Sequence, residues 1–372
     1  MTDPSFPFVL FFVVFSLSKM EQSRDWWLWQ ACTNGNLDIA KELVADLKVY
    51  VNWVGDDRGD TPLHRACRFG HLEIVKLLLT HPHLKPDKGN QAGGSPFFIA
   101  CQQGHKEVVS VLLRDPRIDP SKEIPGGFTP FFYACRHGHT GVASLLLADP
   151  RIDPHKPASN GATPLVYACH NGHKEMVYLL LADPRIDPNN PTAGATTPLW
   201  MAAQNGHLEV VQHLLASGRK IDTKRKDLLN SSTAAQRARV TGARASKDAD
   251  ETEEVFQMKK TRGPLCADLI EEYERDPVAV RRRLQRQPGL REDFIGHLFA
   301  LVVFHSDGYL KAKRGTGRGP QGARRFFEMC SKVPMEHQMM ICNQAFASSR
   351  EVVLSRYSEP GFQTLSRSTT WQ

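Results

Sequence analysis

The chain aligns with itself. TPLHRACRFGHLEIVKLLL begins at Thr61, SPFFIACQQGHKEVVSVLL at Ser95, TPFFYACRHGHTGVASLLL at Thr129, TPLVYACHNGHKEMVYLLL at Thr163 and TPLWMAAQNGHLEVVQHLL at Thr197, each start 34 residues after the last. An earlier copy, LWQACTNGNLDIAKELV from Leu28 to Val44, lacks the Thr-Pro and keeps the rest. Self-similarity at this period points to a solenoid, because one short unit cannot bury its own apolar face and must stack on neighbours.

The repeated letters predict two short antiparallel helices per unit, hence an all-α fold. Thr61, Ser95, Thr129, Thr163 and Thr197 are N-cap residues, and the following Pro sits at the first helical position, where its missing N–H costs nothing. The small Ala-Cys pair (Ala66-Cys67) lets units approach closely. Gly70, Gly104, Gly138, Gly172 and Gly206 end the first helix in a turn that accepts positive φ. A second helix follows each Gly-His, with apolar residues at helical spacing such as Leu72, Val75, Leu78 and Leu79.

TPLHxA, GHxEVVxLLL and a linking finger resemble the ankyrin repeat, over about residues 25–226 and in six units. STAAQRARVTG (Ser232–Gly242) reads as the first helix and turn of a degenerate closing half-unit, so the repeat domain is expected over 25–245. The resemblance implies an ankyrin-repeat solenoid that binds a protein on its concave face. Two departures stand out. The fingers read DPRIDP at Asp115, Asp149 and Asp183, where flanking prolines should stiffen the loop and remove donors. The His of Thr-Pro-Leu-His occurs only as His64; Phe98, Phe132, Val166 and Trp200 stand elsewhere.

Repetition also disposes of two chemical readings. Of eight cysteines, Cys32, Cys67, Cys101, Cys135 and Cys169 occupy one equivalent position in successive units. Stacked helices lie about 8–10 Å apart, too far for the roughly 7 Å that a disulfide allows. Buried thiols in a reducing compartment are expected, the cytoplasm or else the nucleus. CRHGH at Cys135–His139 and CHNGH at Cys169–His173 look like fragments of a zinc site. Yet His71, His105, His139, His173 and His207 recur once per unit without converging, and their expected role is hydrogen bonding at the inter-helix turn. No catalytic residue, metal site or cofactor site is expected.

Positions that vary between copies on one surface are free to recognise a partner. Along the first helices these are Arg65, Ile99, Tyr133, Tyr167 and Met201; Ile99 and Met201 also fit a plainer role as gap fillers. Before each Gly come Arg68-Phe69, Gln102-Gln103, Arg136-His137, His170-Asn171 and Gln204-Asn205. Tyr and Arg beside adaptable amides suit a protein-recognition hot spot. The expected partner site is therefore Arg65, Phe69, Gln102, Gln103, Tyr133, Arg136, His137, Tyr167, His170, Asn171, Gln204 and Asn205, centred on Tyr133, Arg136, Tyr167 and His170.

Outside the repeats, residues 1–24 carry an apolar run, Phe6 to Leu17, too short to span a bilayer. It lacks the positive flank of a signal peptide, so a dispensable extension with Met20 as an alternative start is expected. A charged linker is expected over 246–263 and a small helical bundle over 264–348, with a tail over 349–372. The bundle helices read as Cys266–Arg275, Val278–Gln287, Glu292–His305, Ala323–Lys332 and Met335–Phe346. Residues 227–372 hold 23 Lys and Arg against 18 Asp and Glu, a surplus that fits a solvated surface. Arg281, Arg282, Arg283 and Arg286 fit a solvated helix face, with Val278, Val280 and Leu284 inward. Lys313–Gly322, glycine-rich and basic, lacks the ending of a P-loop and reads as a loop.

A non-enzymatic adaptor or scaffold with a protein partner is the expectation; a small-molecule substrate, nucleic acid and membrane are not expected. The rival reading puts an effector or enzyme in residues 264–372, where only His297, His305, Asp307 and His337 are on offer. A weaker rival is nucleic-acid binding through the basic C-terminal half.

Overall fold

The computed structural model describes residues 23–183, 185–244, 246–287 and 290. The expected extension at 1–19, the helices from Glu292 onward, the Lys313–Gly322 loop and the four rival candidates fall outside them. The described residues form fifteen helices in two compact units that divide after Pro125.

In the first unit α1 (Arg24–Asn34) and α2 (Leu37–Ala45), α3 (Pro62–Phe69) and α4 (Leu72–Leu79), and α5 (Pro96–Gln103) and α6 (Lys106–Leu113) make three hairpins. The second contains α7 (Pro130–Arg136) and α8 (Thr140–Ala148), α9 (Pro164–His170) and α10 (Lys174–Ala182), and α11 (Pro198–Gln204) and α12 (Leu208–Ala216). It continues through α13 (Ala234–Gly242), α14 (Glu253–Arg275) and α15 (Pro277–Leu284). Two-turn helices do not hold in water by themselves, so packing must hold them. Each first helix starts as expected: the side chains of Thr61, Ser95, Thr129, Thr163 and Thr197 accept from the backbone N–H three residues on. Phe97, Phe131, Phe132, Leu63, Leu112, Leu146 and Leu165 are fully buried between the hairpins.

Side chains of two kinds reach back from one repeat to the one before. The turn histidines do so through Nε2: His71 to Thr33 O (3.2 Å), His105 to Arg68 O (3.0 Å), His173 to Arg136 O (2.9 Å) and His207 to His170 O (2.9 Å). The preceding turn has no room for a side chain, since a Cβ on Gly172 would lie 2.6 Å from the His207 ring. The second reach is made by arginine. Asp115 holds Arg117 through Nε (3.0 Å) and Nη2 (2.6 Å), and Arg117 donates to Leu79 O (3.0 Å) in the last turn of α4. Asp183 holds Arg185 in the same way, and Arg185 donates to Leu147 O at the end of α8 (3.2 Å). Arg219 reaches Leu181 O at the end of α10 (3.4 Å). These are carbonyls for which a helix has no internal partner. The DPR triplet is thus a staple between repeats rather than a bare stiff finger.

Cys32, Cys67, Cys101, Cys135, Cys169 and Cys266 are buried free thiols, and burial pushes each well above the ordinary thiol range.

α13 has the capping box of a first repeat helix, Thr233 with Gln236, but no second repeat helix follows. The stretch 246–263 is not simply a linker: α14 begins at Glu253 and runs through Gly263-Pro264. The two helices meet glycine to glycine. A Cβ on Gly242 would lie 2.7 Å from the Pro264 ring, and one on Gly263 would lie 2.7 Å from Ala238 O. Arg239 of α13 then pairs with Asp268 and Glu271 of α14, both at 2.8 Å. On α15 Val280 and Leu284 are buried, whereas Val278 is 55% exposed, because it lies on the first turn, away from the packed side. Gln285 Nε2 donates to Ala216 O (2.9 Å), so α15 is tied to the end of α12. Gly263→Ala should therefore lower the melting temperature. Its overpacking penalty, about 1–3 kcal/mol, outweighs the helix propensity it restores, about 1 kcal/mol; a rise in melting temperature would refute the close contact.

Candidate functional site

The twelve residues expected at the partner site lie on both units. In the first, Arg65 is largely inside. Its side chain is 13% exposed and lies 3.8 and 3.9 Å from the Asp56 and Asp60 carboxylates. Its guanidinium stacks 4.5 Å from the Trp29 ring centroid and 5.0 Å from that of Phe69. Phe69, 45% exposed, and Gln103 are the outward members; Gln102 is half-buried.

In the second unit the expected centre assembles. α7 and α9 lie side by side, which brings Arg136 over two rings, 5.5 Å from the centroid of Tyr133 and 5.3 Å from that of Tyr167. Tyr167 rests on the buried Phe132 (5.0 Å), and Phe128 packs edge-on against Tyr133 (5.8 Å). His137 lies 5.8 Å from the Tyr133 ring and His170 6.0 Å from the Tyr167 ring. A guanidinium over aromatic faces gains about 0.5–1 kcal/mol at an exposed site and, equally, is held in one place. Asn171 is exposed, although its amide donates to Arg136 O (2.6 Å).

At the far end of the row Gln204 is half-buried, and Asn205 is a correction. It is 8% exposed, and its amide donates to His170 O (3.2 Å) and Met201 O (3.1 Å). The cause is α14, whose backbone passes this turn: a Cβ on Gly206 would lie 3.2 Å from Lys259 Cα and Met258 O. Ile99 is a buried gap filler at 5% exposure, while Met201 is half-buried.

The electrostatics of this surface are one-sided. Burial lowers the His170 pKa, and the charges of Lys259 and Arg136 lower it further. Burial also lowers His137, helped by His139, Arg136 and His173. Sequence reasoning missed Lys259, which lies in the supposed linker, and missed Phe128 and Phe132, whose apolar letters give no hint that they seat the tyrosines. Every described cysteine is buried, and no three His, Cys, Asp or Glu residues among the described ones are placed to hold a metal ion. What the surface offers is recognition: aromatic faces, a guanidinium, imidazoles and amides.

The family profile described as ankyrin repeats (3 copies) matches residues 14–90, 82–158 and 150–227. The chain belongs to the ankyrin-repeat family. Two solved ankyrin domains are similar to it. That of Bcl-3, described as a unique member of the IkappaB protein family, has a TM-score of 0.49 and 22% identity over 63% of this chain and 97% of that one. The human ASB11 ankyrin repeat domain has a TM-score of 0.49 and 27% identity over 63% of this chain and 96% of that one. No curated protein matches the sequence. Ankyrin repeats generally mediate protein–protein interaction. No helix among the described residues is long and apolar enough to cross a membrane.

Proposed function

We propose that this ankyrin-repeat protein is a non-catalytic adaptor that seats a partner protein on α7 and α9, with Tyr133, Arg136, Tyr167 and His170 at the centre. The observation that carries this is the guanidinium stacked over two tyrosines on a first-helix surface that the rest of the fold does not need. Within the second unit His137 and Asn171 extend the proposed surface, and Asn205 supports it from within. The free buried thiols favour a reducing compartment such as the cytoplasm.

The quadruple variant Tyr133→Ala, Arg136→Ala, Tyr167→Ala, His170→Ala tests the site. Its circular dichroism should match the wild type and its melt should stay cooperative, at a lower temperature because Tyr133 and Tyr167 also rest on Phe128 and Phe132; capture is therefore compared well below that melt. Partners captured by the tagged wild-type chain and identified by mass spectrometry should be lost, as hot-spot truncations of about 2 kcal/mol or more each would require. An unchanged set of captured proteins would sink the assignment.

A further inference from the structure

The proposed site is not only aromatic; hydrogen-bond donors and the positive charge of Arg136 are gathered on it. Several other arginines of the second unit are anchored by acids or carbonyls: Arg151 by Asp149, Arg185 by Asp183, Arg219 by Ile186 O, Arg239 by Asp268 and Glu271, Arg283 by Glu272; Arg237 lies over the single ring of Trp200. Arg136 has no carboxylate or carbonyl on its guanidinium among the described residues, only the two rings. The fork is therefore held by the two rings on a half-exposed side chain, with its N–H donors left for a partner. Around it the Tyr167 hydroxyl has no hydrogen-bond partner among the described residues. The Asn205 amide nitrogen lies 3.1 Å from His170 Nδ1, and the His170 side chain is exposed. His137 is exposed.

We infer that the partner presents an acidic peptide segment to this surface, with a carboxylate on the Arg136 fork and further carboxylates on His137 and His170. The inference rests on the reading of α7 and α9 as the partner site. A planar guanidinium held between rings matches a carboxylate in two parallel bonds, the strongest common form of charge-assisted hydrogen bond. The charged groups facing the two histidines are Arg136, His139 and His173 around α7 and α9, His207 on the α11–α12 turn, and Lys259 on α14. Lys259 is itself paired with Glu251 (2.9 Å). Near the same turn Arg262 lies on α14, and Lys174 and Glu209 pair with each other (2.8 Å). In the free protein burial and these cations hold His137 and His170 below the ordinary imidazole range. A carboxylate arriving beside them raises both, so binding takes up protons and strengthens as pH falls from about 7.5 to about 6.

The test uses the full chain and fluorescent random copolymers of Glu and Tyr, with a Lys and Tyr copolymer and single-stranded DNA as controls. The inference expects the Glu-Tyr copolymer to bind, more tightly at about pH 6 than at about pH 7.5. Arg136→Gln should weaken it roughly tenfold and Arg136→Lys less, because lysine keeps the charge and loses the fork. Equal or tighter binding of DNA, or an affinity unmoved by Arg136→Gln, would overturn the acidic-peptide inference. If the quadruple variant loses the captured partners while the Glu-Tyr copolymer fails to bind wild type, the site stands and the acidic inference falls. If the quadruple variant keeps its partners, both fall.

Discussion

Replacing Asp60 with alanine should destabilise the first unit by about 3–5 kcal/mol, the usual effect of removing one partner from a buried ion pair. Asp60 has no solvent exposure and is the meeting point of three elements. Its Oδ2 accepts from Arg68 Nη2 of α3 (2.8 Å), and its Oδ1 accepts from Asn90 Nδ2 of the following loop (2.9 Å). Burial by itself would raise its pKa, but these bonds and the Arg68 charge outweigh it and hold the carboxyl below the usual range. Alanine leaves Arg68 and Arg65 with less compensation and the Asn90 amide without its acceptor. Hydrogen exchange on the full chain reads the result by segment: protection should fall over residues 23–125. Asp60→Asn keeps the size and one acceptor, so its loss should be smaller. A loss below about 1 kcal/mol for the alanine variant would mean that the buried carboxylate is not the junction of these elements.

The second large effect is a pH dependence. His64 is fully buried, and its Nδ1 lies 3.1 Å from Thr61 N–H, a group that can only donate. That assigns the proton to Nε2, which donates to Gly94 O (3.0 Å). Both ring nitrogens are thus committed in the neutral form. Burial drives the pKa from 6.5 down to about 4, with the Arg68 and Lys88 charges helping and the Gly94 bond and Asp60 opposing. The unfolded chain takes up this proton near its ordinary pKa, and the folded chain does so only near the lower one. Stability from this group is therefore complete above the unfolded value, falls between about 6.5 and about 4, and changes no further below. The loss amounts to about 3 kcal/mol. Urea denaturation at several pH values, compared with His64→Gln, isolates it from the other histidines. Parallel curves for wild type and variant would refute the assignment.

The fold was legible because the repeats carry their own punctuation: Thr-Pro starts each first helix, Gly ends it, and the 34-residue period places equivalent residues on equivalent surfaces. The same period made the Tyr133–Arg136–Tyr167 group legible, since those positions vary while their neighbours do not. What escaped depends on unlike segments meeting. Arg65 varies as a reader would, yet it is drawn inward because Trp29, Asp56 and Asp60 occur around that one repeat. Asn205 looks like Asn171, but α14 covers the turn that holds it. The last part of α14 was legible as Cys266–Arg275, whereas its beginning was hidden because the stretch before Pro264 is polar and charged and reads as a linker. The helix passes through Gly263-Pro264 where Gly242 of α13 leaves space for the proline ring.

The staples have a direction. Arg117, Arg185 and Arg219, like the turn histidines, reach toward the N-terminus, so each repeat completes a helix that was synthesised before it. On the ribosome, the last carbonyls of α4, α8 and α10 must remain uncapped until about forty further residues have emerged. A chain interrupted within the array therefore ends in a helix that lacks its finishing contact, which distinguishes an incomplete product from a complete one by its most weakly held end.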